Sequence, residues 1–199
     1  MRWSFLPVLQ LVLCCFVFST ADAANKAFTE YIYDPGTLKP IDSELRVSVG
    51  QPAPDFSLSS VKGEKIRLSD YLNKRNVVLS FVPAAWTPVC SDQWPGYNIA
   101  KSFFDQNEAV LLGITVDNIP TLHAWTLQMG ELWFDVLSDF WPHGQVAERY
   151  GVLRTDGTAE RALIFINKKG IISGIYVSDI NLRPPLEVVV AELKKLGSK

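Results

Sequence analysis

The alternation of apolar and polar positions changes period several times after residue 46. Val77 to Val82 and Ala109 to Val116 are continuous apolar runs of the length expected for strands buried on both faces. Phe56 to Leu58 and Glu64 to Arg67 are shorter strand candidates on either side of a Val61-Lys62-Gly63 turn. Arg161 to Ile166 and Ile171 to Val177 read as a hairpin around Asn167-Lys168-Lys169-Gly170. Leu68 to Leu72 predicts one helical turn capped by Ser69, Pro120 to Met129 a helix, and Gln145 to Tyr150 a short helix closed by Gly151. Pro185 to Leu196 is amphipathic, with Leu186, Val189, Val190 and Leu193 at helical spacing.

A strand–helix–strand–helix half, then a hairpin and a last helix, predicts one α/β domain over residues 46–199. Its expected architecture is a thioredoxin-like fold, a mixed central sheet with helices on both faces. Fold alone assigns no function. Residues 24–45 hold Asp34-Pro35-Gly36 and Lys39-Pro40 turn signals without a sustained period, and read as an extended arm.

The first 23 residues depart from this pattern. Arg2 precedes an apolar stretch from Phe5 to Phe18, and Ala21-Asp22-Ala23 has the small-x-small form of a cleavage site. A removed export signal is the expectation, placing the protein in the periplasm or outside the cell. An uncleaved anchor is the weaker alternative, since the run is short for a bilayer and broken by Pro7 and Gln10. A lipoprotein at Cys14 is weaker still, because Leu13 is large where a small residue should stand. The whole chain has three cysteines, and cleavage after Ala23 leaves only Cys90. Exported proteins usually pair their cysteines, so a lone one suggests a special role. Net charge is −2 with no basic stripe, which gives nucleic-acid binding no electrostatic support.

Cys90 follows the strand run by a loop, Pro83-Ala84-Ala85-Trp86-Thr87-Pro88-Val89. Threonine is a favoured helix cap and proline a favoured first helical residue, so Thr87-Pro88 predicts a helix start. Cys90 then lies in the first turn, where backbone N–H groups lack intrahelical partners and the helix dipole is positive. That setting stabilises a thiolate. The competing reading is a packed, inert thiol, as most free cysteines are. Six tryptophans and two histidines, His123 and His143, add no clear chemistry. Trp125, Trp133 and Trp141 fit core or dimer-interface positions. No metal site or cofactor is expected from these residues.

Pro83-x-x-x-Thr87-x-x-Cys90 after a buried strand resembles the active-site signature of the peroxiredoxins. Val49 to Phe56, Leu68 to Tyr71, Gly113 to Asp117, Leu137 to Asp139 and Arg161 to Ile166 resemble further segments of that family in order. Leu137 to Gly144 is most similar to the one-cysteine, AhpE-like branch. The resemblance implies a peroxidase in which Cys90 attacks a hydroperoxide and becomes a sulfenic acid. It implies that Thr87 and Arg161 hydrogen-bond the reacting atoms, that Pro83 shields the sulfur, and that the Val89 and Cys90 N–H groups complete the pocket. Trp86 would line that pocket. Without the resemblance, Arg161 reads as a solvated charge or a carboxylate partner. The resemblance also implies a homodimer or larger homo-oligomer.

Two positions depart from the family pattern. Gln93 stands where a glutamate is frequent, keeping a hydrogen-bond acceptor for Arg161 but removing a charge. Pro95 falls inside the expected helix and predicts a kink or break near Trp94-Pro95-Gly96. No second mature cysteine is available to resolve the sulfenic acid, so an external thiol, a thioredoxin- or glutaredoxin-like protein or a small thiol, must do so. A disulfide exchanger would need Cys-x-x-Cys, and position 93 is Gln. A copper-delivery protein would need a second nearby cysteine and a placed histidine. A non-catalytic redox sensor or holdase built on the same oxidisable thiol stays open.

Overall fold

The computed structural model describes residues 29–197, so the expected export signal at residues 1–23 lies outside the described residues. From Asp34 onward the chain forms one compact unit. Its strands are β1 (Ser57–Ser60), β2 (Lys65–Arg67), β3 (Asn76–Phe81), β4 (Ala109–Thr115), β5 (Asp135–Ser138), β6 (Ala162–Ile166) and β7 (Ile172–Val177). They form one sheet in the order β2-β1-β5-β4-β3-β6-β7. Strands β3, β4 and β5 are parallel. Strand β6 runs antiparallel to both β3 and β7, and β1 runs antiparallel to both β5 and β2. The mixed sheet and its helices have the thioredoxin-like architecture expected.

The helices are α1 (Pro88–Gly96), α2 (Lys101–Gln106), α3 (Ile119–Met129), α4 (Gln145–Tyr150) and α5 (Leu186–Gly197). Two of them show a clear local cause. Asn118 caps α3 by accepting the Thr121 N–H at 2.9 Å, with Pro120 in the first turn. Gly151, at φ 73°, closes α4 in the left-handed region that suits glycine. Two elements went unread in the sequence, α2 and β5. A third expectation is corrected: the turn Leu68–Tyr71 is 3₁₀ with Arg67 at its N-cap, not Ser69. The Ser69 N–H instead donates to the Asp55 carboxylate at 3.0 Å, which draws Ser69 inside the turn. Among the described residues no helix is long and apolar enough to cross a membrane.

All six residues of β3 and all five of β6 are buried, which explains why they are apolar but for Asn76 and Ser80. Val77, Leu79 and Phe81 point to one face, into a core with Leu112, Ile114, Leu137, Ile164 and Tyr150. Ser80 points to the other, where Trp94 stacks with Trp125 at 5.0 Å and meets Phe134 at 6.1 Å. Gly113, paired with Ser80, makes room there. A Cβ at Gly113 would lie 2.8 Å from the Trp94 ring. The antiparallel register sets Ala162 beside Phe81, so the start of β6 meets the end of β3.

Candidate active site

The loop leaving β3 is held from beneath. Val82 N–H donates to the Ile114 carbonyl at 3.0 Å, and Pro83 is buried. Asp117, just past β4, accepts the Ala85 N–H at 2.8 Å and the Thr115 hydroxyl. Trp86, half-buried, adopts φ 60°, a left-handed conformation uncommon for an aromatic residue. Thr87 is extended (φ −108°, ψ 153°) and Pro88 opens α1, as the sequence predicts. The Thr87 hydroxyl, however, donates to the Ala84 carbonyl at 3.0 Å and caps no helical N–H. It closes the loop on itself.

The first bond of α1 runs from the Ser91 N–H to the Thr87 carbonyl at 3.0 Å. The N–H groups of Val89 and Cys90 therefore precede the ladder, at the positive end of the helix. Cys90 is fully buried, and Val89 beside it is partly exposed. Helix α1 ends at Gly96, one residue after Pro95, so the break falls where that proline predicts it.

Arg161, 71 residues from Cys90 in sequence, reaches the sulfur: its Nη2 lies 3.5 Å from Sγ. Its Nε donates to the Ile180 carbonyl at 3.0 Å and its Nη1 to Gln93 Oε1 at 2.6 Å. The side chain is fully buried. Of these three partners only the sulfur can carry a negative charge. A buried guanidinium favours a negative partner, and its place on the sulfur would stabilise a thiolate there. The reading of Arg161 as a solvated charge or carboxylate partner does not hold.

The Gln93 amide is oriented by Arg161, which has donors only. With Oε1 fixed as acceptor, Nε2 donates to the Tyr97 hydroxyl at 3.0 Å and to Ser80 Oγ at 3.3 Å. Ser80 also accepts the Trp94 indole N–H at 3.2 Å, and the Trp125 indole donates to Ser91 at 3.1 Å. Burial pushes the Tyr97 phenol up to about 12, so it stays neutral. Arg161 thus meets both Cys90 and Gln93. Pro83, Trp86 and Thr87 form the loop leading to them. Ser80, Tyr97, Asp117 and the Ile180 carbonyl are parts of the site that the sequence reading missed. A lone serine inside an apolar strand, and the place of Asp117 at the end of a family-like segment, were the available signals.

The core position expected of Trp125 is observed. Trp133 is half-buried, whereas Trp141 is 84% exposed. The His143 ring bonds the Gly157 carbonyl at 2.7 Å.

A thioredoxin-like sheet presenting a buried thiol in a first helical turn, with a guanidinium on its sulfur, defines the class of thiol-dependent peroxidases. Comparison with known proteins agrees. The model of the AhpC/TSA family matches residues 49–175. Alkyl hydroperoxide reductase E of Mycobacterium tuberculosis is 35% identical over 127 residues, covering 63% of this chain and 82% of the relative. The chloroplastic 2-cysteine peroxiredoxin of Chattonella marina var. antiqua is 36% identical over 146 residues, 69% of this chain and 74% of that one. The reduced 2-Cys peroxiredoxin of Plasmodium vivax superposes with a TM-score of 0.69 at 25% identity, over 74% of this chain and 81% of that one. The chain belongs to the AhpC/TSA family and is a peroxiredoxin, with its likeness to the AhpE relatives matching the one-cysteine branch.

Proposed function

We propose that this peroxiredoxin reduces hydrogen peroxide, organic hydroperoxides or both through Cys90 alone, and is returned to the thiol by an external thiol. The observation carrying this reading is the 3.5 Å approach of Arg161 Nη2 to Cys90 Sγ. The anionic sulfur attacks the terminal peroxide oxygen. An S–O bond forms, the O–O bond breaks, and the departing oxygen takes a proton and leaves as water or an alcohol. Negative charge passes from sulfur to that oxygen, so donors fixed around both lower the barrier. Arg161 and the N–H groups of Val89 and Cys90 supply them, and the Thr87 hydroxyl turns from Ala84 to join when peroxide binds. Gln93 holds Arg161 in place. Pro83, Trp86 and Val89 shape the entrance.

The resulting sulfenic acid needs two external thiols. The first forms a mixed disulfide and releases water; the second frees Cys90 and carries away the disulfide. Cys90 is fully buried, so a protein or small-thiol reductant reaches it only if the first turns of α1 open. Pro95 favours this, because it gives no N–H to the Ser91 carbonyl one turn back. We place the cycle outside the cytoplasm, after removal of residues 1–23, in a homo-oligomer.

Stopped-flow oxidation of the mature protein, with Cys90→Ser as reference, tests the peroxidase reading. The expected second-order rate exceeds that of free cysteine by orders of magnitude and vanishes in the variant. A rate equal to free cysteine's refutes it. Mass analysis of the thiol trapped on oxidised Cys90 identifies the reductant, and an intact Met1 on exported protein would overturn the cleavage.

A further inference from the structure

We propose that the arm segment Leu38–Asp42 is a positioning element for Arg161, so that the geometry at Cys90 depends on chain lying ahead of the sheet. This rests on the role given to Arg161 above. The guanidinium is planar and rigid, so fixing its Nε–H and Nη1–H sets where Nη2 points. Gln93 fixes one. The other bonds the Ile180 carbonyl, which lies in no helix or strand. Ser178 is tied back to β6, its N–H donating to the Arg161 carbonyl at 2.8 Å, but Ile180 and Asn181 lie beyond that bond and need a support of their own.

The arm holds them. Ile180 N–H donates to the Pro40 carbonyl at 3.0 Å, so one residue bonds the arm through its N–H and the arginine through its carbonyl. Next to it, Leu38 N–H donates to Asn181 Oδ1 and Asn181 Nδ2 returns a bond to the Leu38 carbonyl, each at 2.9 Å. A second route reaches the residue preceding Arg161. Asp42 N–H donates to Glu160 Oε1 at 2.6 Å. The same buried carboxylate accepts from Arg154 Nη1 at 2.8 Å, and Arg154 Nη2 donates to the Lys39 carbonyl at 2.9 Å. Asp42 Oδ2 in turn accepts the Thr155 N–H at 3.1 Å. The arm thus grips the chain on both sides of Arg161, at Glu160 and at Ile180. None of its residues touches the sulfur. They act through the arginine.

Two full-chain variants loosen opposite ends of this segment: Asn181→Ala removes the paired bonds to Leu38, and Asp42→Ala removes the carboxylate that accepts from Thr155 while keeping the backbone N–H to Glu160. Lys62→Ala, which breaks a surface pair with Asp135 of β5, on the side of the sheet away from β6 and β7, is the control. The Arg161 Nε–H is followed in ¹⁵N-arginine-labelled protein, assigned by its loss in Arg161→Lys, together with the stopped-flow peroxide rate. The expected result is faster exchange of that N–H and a roughly 10- to 100-fold lower rate in both variants, with the control unchanged. Retained protection in both variants overturns the positioning role, whatever the rate. Released Nε–H with a wild-type rate also overturns it. If Arg161→Ala itself keeps the wild-type rate, the role of Arg161 falls instead.

Discussion

Replacing Gln93 tests the charge arrangement at the site most directly. In Gln93→Leu the Arg161 Nη1–H, bonded at 2.6 Å in a fully buried setting, loses its acceptor. A hydrogen bond to a charged group is worth about 1.5–3 kcal/mol, and the cost of leaving its buried partner unmade is of the same order. Ser80 loses less, because it keeps the Trp94 donor at 3.2 Å and its own contact with Gln93 was long at 3.3 Å. Tyr97 keeps a hydroxyl that can rotate. The loss is thus dominated by the arginine, at about 2–3 kcal/mol. For a chain of this size that lowers Tm by roughly 4–12 °C. Gln93→Glu should lie within about 1 kcal/mol of wild type, because the carboxylate accepts from both Arg161 and the Tyr97 hydroxyl. Calorimetry on the three proteins, with stopped-flow peroxide oxidation, gives the comparison. A Gln93→Leu shift below about 2 °C, or a Gln93→Glu loss equal to it, would refute the reasoning.

Gly113→Ala should cost about 1–3 kcal/mol in urea unfolding, because its Cβ would press 2.8 Å from a Trp94 ring already held by Ser80. Glu160→Ala should cost about 3–5 kcal/mol in the same assay, since it leaves Arg154 buried without its 2.8 Å partner. Tyr97 has a folded value near 12 against 10.0, so its share of stability is complete below pH 10 and is lost as pH rises from 10 to 12. Over that range the wild type should lose roughly 2–3 kcal/mol more than Tyr97→Phe in denaturant titrations. Backbone N–H groups of α1 should exchange faster once Cys90 is oxidised to sulfenic acid than in the reduced protein, read by hydrogen exchange; equal protection would count against the opening step.

The sequence made legible whatever depends on neighbours in the chain. Continuous burial of β3 and β6, and burial of all but Val110 in β4, leaves apolar runs, and Asn118, Thr87-Pro88 and Gly151 mark helix ends by local backbone chemistry. Strand β5 and helix α2 escaped because four residues beginning with Asp135 and six beginning with Lys101 are too short to set a period. The site divides the same way. Cys90 was found from its helix start, but its contact with Arg161 is a product of strand register. Antiparallel pairing of Phe81 with Ala162 carries the end of β3 to the start of β6, and no spacing rule contains that. The Ile180 carbonyl left no trace in the sequence, because any residue has one. The resemblance to the peroxiredoxins supplied Arg161 where local chemistry alone could not.

Glu160 and Arg161 are adjacent, buried and opposite in charge, yet they do not pair with each other. Glu160 is matched by Arg154 and the arm, while Arg161 goes to Gln93, Ile180 and Cys90. This division matters for the chemistry. A carboxylate on Arg161 would satisfy the guanidinium in every redox state of the site. With Gln93 in that place and Glu160 already matched, the cation is satisfied best by a negative sulfur, the form that attacks peroxide in the proposed cycle. Once the sulfur becomes a neutral sulfenic acid, the same buried guanidinium loses its anionic partner, and the closed arrangement around it loses much of its electrostatic support. The charge that favours attack on peroxide therefore also favours release of α1 afterwards, when the buried sulfur has to reach an external thiol.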